Sequence, residues 1–308
     1  MAQCLLLGGN GFIGRNLALS LANAGHSVLS ADLSPVETFY HPLINYTTGD
    51  LAKPHFVDDC LKRGPFDFVF LLACTLIPSS GKDAFEKEQE FQRILGYSLP
   101  ERMRKFEAET LVYFSSGGAI YGNNGINVNH ENAQLCPINY YGEAKKMLEV
   151  SIQTDAPSSG IDYLIIRPSN PYGLGQKLNA AQGLIAVTLG KVLRGEPIEI
   201  WGNGEVVRDY LHVSDLTAAV IALLDQDKTR NEIYNVGSGI GKSVNQVLEI
   251  IQSNLDFPLD VRYGEARKED VKVNVLNIDK MNSKLNWRPK VSLEQGISEL
   301  WQHIRNTH

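Results

Sequence analysis

Cysteine is scarce in this chain of 308 residues: Cys4, Cys60, Cys74 and Cys136 stand far apart, with neither metal-ligand spacing nor the pattern of a disulfide framework. That scarcity excludes a small disulfide-stapled module and points to a reducing compartment. The seven histidines form no ligand cluster, so no metal site is expected. Positive charge is also in short supply, with 29 Lys and Arg against 35 Asp and Glu and a formal net charge of -6. This balance argues against nucleic acid or an anionic membrane surface as the main partner, and requires any anionic ligand to be held by a few local basic groups. There is no basic N-terminal region and no apolar run of membrane-spanning length, because Met1-Ala2-Gln3-Cys4 leads straight into three leucines and a glycine turn. A cytoplasmic globular protein is expected, of one large domain or two closely joined.

What is present is alternation. Apolar runs of strand length at Cys4 to Leu7, Val28 to Ala31 and Phe66 to Ala73 are separated by helical periodicity, first over Phe12 to Ala24. Such β-α-β order predicts an α/β fold with a doubly wound parallel sheet of the Rossmann kind. Phe68 to Leu72 and Leu111 to Phe114 are continuously apolar, as strands buried on both faces are. Further helices are expected over Ala84 to Glu107, Asn139 to Thr154, Ala180 to Leu193, Ser214 to Leu224, Val244 to Ser253 and after Ser292, with strands at Ile198 to Trp201 and near Val261. After Arg167-Pro168 the chain turns to loops rich in Gly, Pro and Asn. We therefore expect a dinucleotide-binding unit over 1–168, with 209–237 returning to its sheet, and a smaller α/β substrate lobe over 169–208 and 238–308.

Gly8, Gly11 and Gly14 lie in Gly8-Gly9-Asn10-Gly11-Phe12-Ile13-Gly14, which follows the first strand and opens the first helix. In that setting glycines allow a tight turn and close approach to a pyrophosphate, while the helix N-terminus offers unpaired N-H groups. Asp32 ends the second strand 18 residues after Gly14, where a carboxylate can bond both adenosine ribose hydroxyls and repel a 2′-phosphate. NAD is thus expected over NADP, with a strand-end turn as the competing role of Asp-Leu-Ser-Pro. Asp50 and Leu51 follow the next short strand and suit either an adenine contact or a plain turn.

Tyr141-Gly142-Glu143-Ala144-Lys145 places a phenol and an ammonium at i and i+4 on one helix face, with side-chain roots roughly 5–6 Å apart. A fixed positive charge favours the phenolate and draws its pKa toward neutrality, as a proton-transfer group requires. Alone, the spacing is equally that of a solvated helix face.

Together with Leu71-Leu72-Ala73, Ser115 to Gly122, Arg167 to Gly173, Arg208 to Val213, Tyr234 to Gly237 and Leu285 to Pro289, these motifs resemble the extended short-chain dehydrogenase/reductase family. Within it they are similar to the NAD-dependent nucleotide-sugar epimerases and dehydratases, UDP-glucose 4-epimerase among them. The resemblance implies that Tyr141 is the catalytic base and that Lys145 bonds the nicotinamide ribose. It further implies that Leu72 and Ala73 border NAD, that Asn170, Arg208 and Arg267 hold the nucleotide diphosphate, and that the protein is a homodimer acting on a nucleotide sugar, of UDP-hexose type, through a 4-keto form. Guanidinium groups suit diphosphate oxygens, although Arg208 could instead pair with Asp209 or Asp215, and Arg267 sits in a charged Arg-Lys-Glu-Asp run.

Two departures stand out. Relatives carry a Ser or Thr four residues before the Tyr of the strand-end motif, and here that position is Gly117. Ser116 could replace it through a shifted backbone or a water, Tyr141 could work with less help, and Ser115 reads as structural. The helix after the third strand has Glu90 to Tyr97 where relatives show an Asn before Gly-Thr. Gly118-Ala119 replaces the Asp-Glu pair of the 4,6-dehydratases, which leaves the epimerase expectation ahead of dehydration, reduction or a catalytically eroded NAD-binding protein. Asn274 falls in the stretch where relatives vary the wall near the sugar, with Val273 and Val275 as alternatives.

Overall fold

Cys4 and Leu6 pack on one side of a parallel sheet and Leu5 and Leu7 on the other, all four buried. Successive residues of a strand point to opposite faces, so only a strand covered twice needs four apolar residues in a row. The computed structural model describes residues 1–35, 40–266 and 271–307. The chain begins β1 (Gln3–Leu7), α1 (Phe12–Asn23), β2 (Ser27–Asp32), β3 (Ile44–Thr48), α2 (Pro54–Leu61), β4 (Phe68–Leu71), α3 (Lys82–Ile94), α4 (Leu99–Lys105) and β5 (Thr110–Phe114). It continues through β6 (Val128–Asn129), α5 (Tyr140–Ser158), β7 (Asp162–Pro168), β8 (Asn170–Tyr172), α6 (Leu184–Arg194), β9 (Ile198–Trp201) and β10 (Val207–His212). It ends with α7 (Val213–Leu224), β11 (Glu232–Val236), β12 (Gly241–Ser243), α8 (Val244–Gln252), β13 (Val261–Gly264), β14 (Val273–Leu276), α9 (Asp279–Leu285) and α10 (Leu293–Thr307).

The main sheet has the order β11-β7-β5-β4-β1-β2-β3, all parallel. Its order reverses between β1 and β4, the place where open α/β sheets bind ligands beyond their strand ends. Leucines of α1 and α7 cover one face and apolar residues of α2, α4 and α5 the other. A second sheet, β12-β10-β14-β6 with β8 beside β10, and the pair β13-β9 lie outside it. A separate core joins α6, α8 and α10.

Three expectations change. The helix foreseen over 84–107 is two, α3 and α4, because a Cβ at Gly96 would stand 2.9 Å from Leu148 of α5 and the chain turns there, with Pro100 in the first turn of α4. The helix foreseen from Ala180 starts at Leu184, after Gly183 at φ 105. Of the segment 209–236, β11 joins the main sheet and α7 packs on α1, but β10 belongs to the second sheet, paired with β8, β12 and β14.

Candidate functional site

The turn after β1 is shaped by what its glycines touch. Gly8 has φ 90, and a Cβ there would lie 2.7 Å from the Ala73 backbone nitrogen; at Gly14 it would lie 2.6 Å from the Gly9 carbonyl. These two glycines let β4 and α1 close in. Gly11 differs, since nothing comes nearer than 3.6 Å to its Cβ position. Its open side faces a cavity of about 1060 Å³ that Gly8, Gly11, Phe12, Ile13, Gly14 and Leu72 line at one end. Asp32 accepts hydrogen bonds from the Asn10 and Ser34 amides at 3.0 and 3.1 Å, which sets its carboxylate beside the turn. Asp50 closes a turn onto the Ala52 amide at 2.9 Å, and Leu51 is buried. Asp32, Asp50, Leu51 and Ala73 are not among the residues lining the cavity.

Helix α5 starts at Asn139, whose side chain accepts from the Gly142 amide at 2.8 Å, a cap that satisfies one of the helix's unpaired donors. A Cβ at Gly142 would stand 2.8 Å from the Ala119 carbonyl, so glycine seats the first turn against the strand-end loop. Tyr141 and Lys145 then both face the cavity. Lys145 Nζ donates to the Phe114 carbonyl at 2.8 Å and lies 5.7 Å from the Tyr141 ring centre. Burial favours loss of its proton, but the acidic neighbours Cys74, Tyr141, Glu88 and Glu149 outweigh this and hold it charged. For the Tyr141 phenol, burial is the largest influence and leaves the pKa above its usual value; the positive charge of Lys145 acts the other way. The pull foreseen from Lys145 is present, and desolvation exceeds it.

Ser116, two residues past the end of β5, lines the same cavity as Tyr141. Gly117 does not present an empty socket, because its Cβ would lie 2.6 Å from Leu276 Cδ1 and 3.2 Å from the Arg167 carbonyl. The side chain of Leu276 fills the direction in which a hydroxyl at 117 would project. Asn274 is 3% exposed, and its amide donates to the Gly117 and Gly118 carbonyls at 3.1 and 3.0 Å. It is not among the residues lining the cavity, so the wall position considered for it is corrected to a place behind the strand-end loop.

The cavity is also lined by Asn170, Arg208 and Tyr210. Asn170 donates to the Asp209 carbonyl at 2.9 Å, and Arg208 Nη1 to the carbonyls of Val207 and Val271 at 2.9 and 2.6 Å. Asp215 receives the Val291 amide. The Asp209 carboxylate takes the amides of Ser238, Gly239 and Leu276 and the Ser238 hydroxyl, at 2.7 to 3.3 Å. Arg267 lies outside the described residues. Polar side chains of the wall not singled out for the site in the sequence include Cys74, directly after Leu72-Ala73, Ser79, Gln176 and Gln182. Arg15 and Asn16 of α1 hold the Gly175 and Leu174 carbonyls at 2.9 and 3.0 Å, tying the cofactor helix to the loop that carries Gln176.

The residues fit a dinucleotide. The helix N-terminus opens on the cavity at Gly11, the glycine of that turn with free space, and the buried Ser115 and Ser169 hydroxyls, both in the wall, have no hydrogen-bond partner among the described residues. Among the described residues no group of three or more acidic, His or Cys side chains could hold a metal, and no helix is long and apolar enough to cross a membrane.

The profile of the NAD dependent epimerase/dehydratase family matches residues 4–237. A putative UDP-glucose 4-epimerase of Methanocaldococcus jannaschii is 28% identical over 99% of both chains. The dTDP-4-dehydro-6-deoxyglucose reductase of Escherichia coli is 27% identical over 98% of this chain and 97% of its own. Among solved structures, UDP-glucose 4-epimerase of Thermotoga maritima with UDP-glucose superposes with a TM-score of 0.92 at 28% identity, covering 99% of both chains. The Thermus thermophilus UDP-glucose 4-epimerase complex with NAD gives 0.88 at 26%, covering 99% of this chain and 100% of that one. With its sheet, its glycine turn and three quarters of its length accounted for in this way, the chain belongs to the NAD-dependent epimerase/dehydratase family and takes NAD as its cofactor.

Proposed function

We propose that the protein is a nucleotide-sugar 4-epimerase of the UDP-hexose type. The observation that carries this reading is that Tyr141, Lys145 and Ser116 line one cavity together with the glycine turn. Gly8, Gly11, Phe12, Ile13, Gly14, Leu72 and Ala73 would hold NAD, with Asp32 on its adenosine ribose and Asp50 and Leu51 toward the adenine. Bound NAD supplies the acceptor and donor of hydride at C4 of the sugar.

The protein's own part is proton handling and orientation. Tyr141 takes the O4 proton as a phenolate and returns it to the 4-keto sugar once that sugar has turned over. Ser116 bonds the phenol and shares the O4 oxygen. Lys145 supplies a positive charge that opposes, in part, the effect of burial at Tyr141 and a donor for the nicotinamide ribose. Asn170, Arg208 and Arg267 hold the diphosphate, an assignment supported for the first two by their place in the cavity wall. A homodimer and a cytoplasmic setting belong to the same reading.

Incubation with UDP-glucose or UDP-galactose and chromatography of the products tests it. Interconversion without added cofactor is expected, and absence of interconversion for UDP-, GDP- and dTDP-sugars alike removes the reading. The reductase relative favours a second one, reduction of a 4-keto sugar, which consumes reduced cofactor in proportion to product. Tyr141→Phe is expected to lower turnover by about 10²–10⁴-fold while NAD stays bound.

A further inference from the structure

We propose that Asn10 is a positioning residue that aims Asp32 at the adenosine ribose and so helps to set the choice of NAD over NADP. This deepens the assignment of Asp32 proposed above and rests on it. The Asp32 carboxylate is gripped by two amides from different segments: Oδ2 accepts from the Asn10 amide at 3.0 Å and Oδ1 from the Ser34 amide at 3.1 Å. An ionised carboxylate offers about four acceptor sites, so each oxygen keeps one for a ribose hydroxyl. The strand-end turn at Asp32 therefore leaves room for the ribose contact.

The side chain of Asn10 holds the second of those amides in place. Its Nδ2 donates to the Ser34 carbonyl at 2.5 Å, and its Oδ1 accepts from the Ser30 hydroxyl at 3.0 Å. A carbonyl can only accept, so the nitrogen faces Ser34 and the oxygen is left to Ser30. Ser30 is itself fully buried, and a Cβ at Gly9 would lie 2.2 Å from its Oγ, so the glycine turn seats the hydroxyl that orients Asn10. The Gly8 and Gly9 amides complete the frame by donating to the Ala31 carbonyl at 2.8 and 3.3 Å. Asn10 thus acts on Asp32 twice, directly through its own amide and, through its side chain, by way of Ser34. Without that side chain the Ser34 segment loses its tie to the glycine turn and the carboxylate is aligned by one segment alone. Poorer alignment weakens the charge-assisted bonds to the ribose hydroxyls and relieves the repulsion of a 2′-phosphate, two effects that move cofactor choice in the same direction.

Competition between the two cofactors reads this directly. The full chain is incubated with an equimolar excess of NAD and NADP until exchange is complete and passed through gel filtration, and the retained cofactors are released and separated by chromatography. The parent is expected to retain NAD almost exclusively. Asn10→Ala is expected to lower the retained ratio of NAD to NADP by about 10-fold, the scale of one hydrogen bond to a charged group, and Asp32→Ala by at least as much. With both changes together the ratio falls no further than in Asp32→Ala, because Asn10 acts through Asp32. Ser30→Ala, which frees the Asn10 amide to turn, lowers the ratio in the same direction and serves where Asn10→Ala does not fold. A residue that only supports the fold lowers retention of both cofactors alike, so an unchanged ratio in either folded variant overturns the proposal, as does a double variant that falls below Asp32→Ala. If Asp32→Ala itself leaves the ratio in place, the ribose assignment fails and this proposal with it; if Asp32→Ala changes the ratio and Asn10→Ala does not, the role of Asn10 alone falls. No nucleotide sugar enters the measurement, so its outcome stands apart from the epimerase reading.

Discussion

Leu276 occupies the space that a Cβ on Gly117 would need, its Cδ1 lying 2.6 Å from that point. Leu276 is itself 1% exposed and packed with Ile120 and Tyr121, so it has little room to yield. Gly117→Ser, the change that would write the relatives' hydroxyl back into the motif, is therefore expected to cost about 1–3 kcal/mol through overpacking and to raise no activity. Urea unfolding checks the first point and steady-state turnover the second. Combined with Leu276→Ala, it should destabilise less than the two single changes summed; a Gly117→Ser protein that is as stable as the parent and faster would contradict this account.

The three glycines of the first turn should separate by experiment. Gly8→Ala and Gly14→Ala drive a methyl into backbone atoms at 2.7 and 2.6 Å and are expected to lower both folding stability and NAD retention. Gly11→Ala fits the protein alone, with its nearest neighbour at 3.6 Å. It should melt within a few degrees of the parent and still lose NAD, since the methyl stands where backbone must approach the pyrophosphate. Bound NAD measured after gel filtration, beside the melting curve, distinguishes the cases.

Behind the catalytic helix, Arg167 forms a buried ion pair with Glu149 through Nε at 2.9 Å and Nη2 at 2.5 Å, and its Nη1 donates to Tyr121. Removing one partner leaves a charge in a site only 2% exposed on the Arg side and 0% on the Glu side. Arg167→Met should destabilise by about 3–5 kcal/mol, while Arg167→Met with Glu149→Met should recover a large part of that loss. Chemical denaturation of the three variants is the measurement, and equal losses in the single and double variants would count against it.

His212 gives the folded state a pH signature. Burial holds its pKa below the ordinary histidine value, with Asp215 and Glu299 opposing. A depressed histidine means that the unfolded chain binds the proton more readily. Its contribution is thus complete above the unfolded pKa, near 6.5, and is lost as the pH falls from there through the folded value. Unfolding free energies measured across that window should slope downward toward acid, and His212→Gln should flatten the slope.

Sequence reached furthest where local chemistry sets the structure. The glycine turn, α1 and β2 lie within a residue or so of their expected bounds because turn and cap chemistry are local, and Tyr141 and Lys145 share a face because four residues make about one helical turn. It fell short where a distant partner decides. The corner at Gly96 packs against Leu148, far along the chain, and β10 takes its sheet from β8, β12 and β14. Asn274 sits 157 residues from the carbonyl it holds, and no periodicity announces such a bond. The direction of the Tyr141 pKa needed the depth of burial, which a Tyr and Lys spacing does not contain.

Three of the four donors that meet at the Asp209 carboxylate are backbone amides, and a Cβ at Gly237 would lie 2.5 Å from its oxygen. Main-chain donors are offered by every residue except proline, so the side chain at 276 is left free of this duty. Substitution along β14 can then alter what packs behind Gly117 and Gly118 while the meeting of three segments endures. One fixed acid anchors a neighbourhood in which evolution can revise the specificity of the site without redesigning the frame.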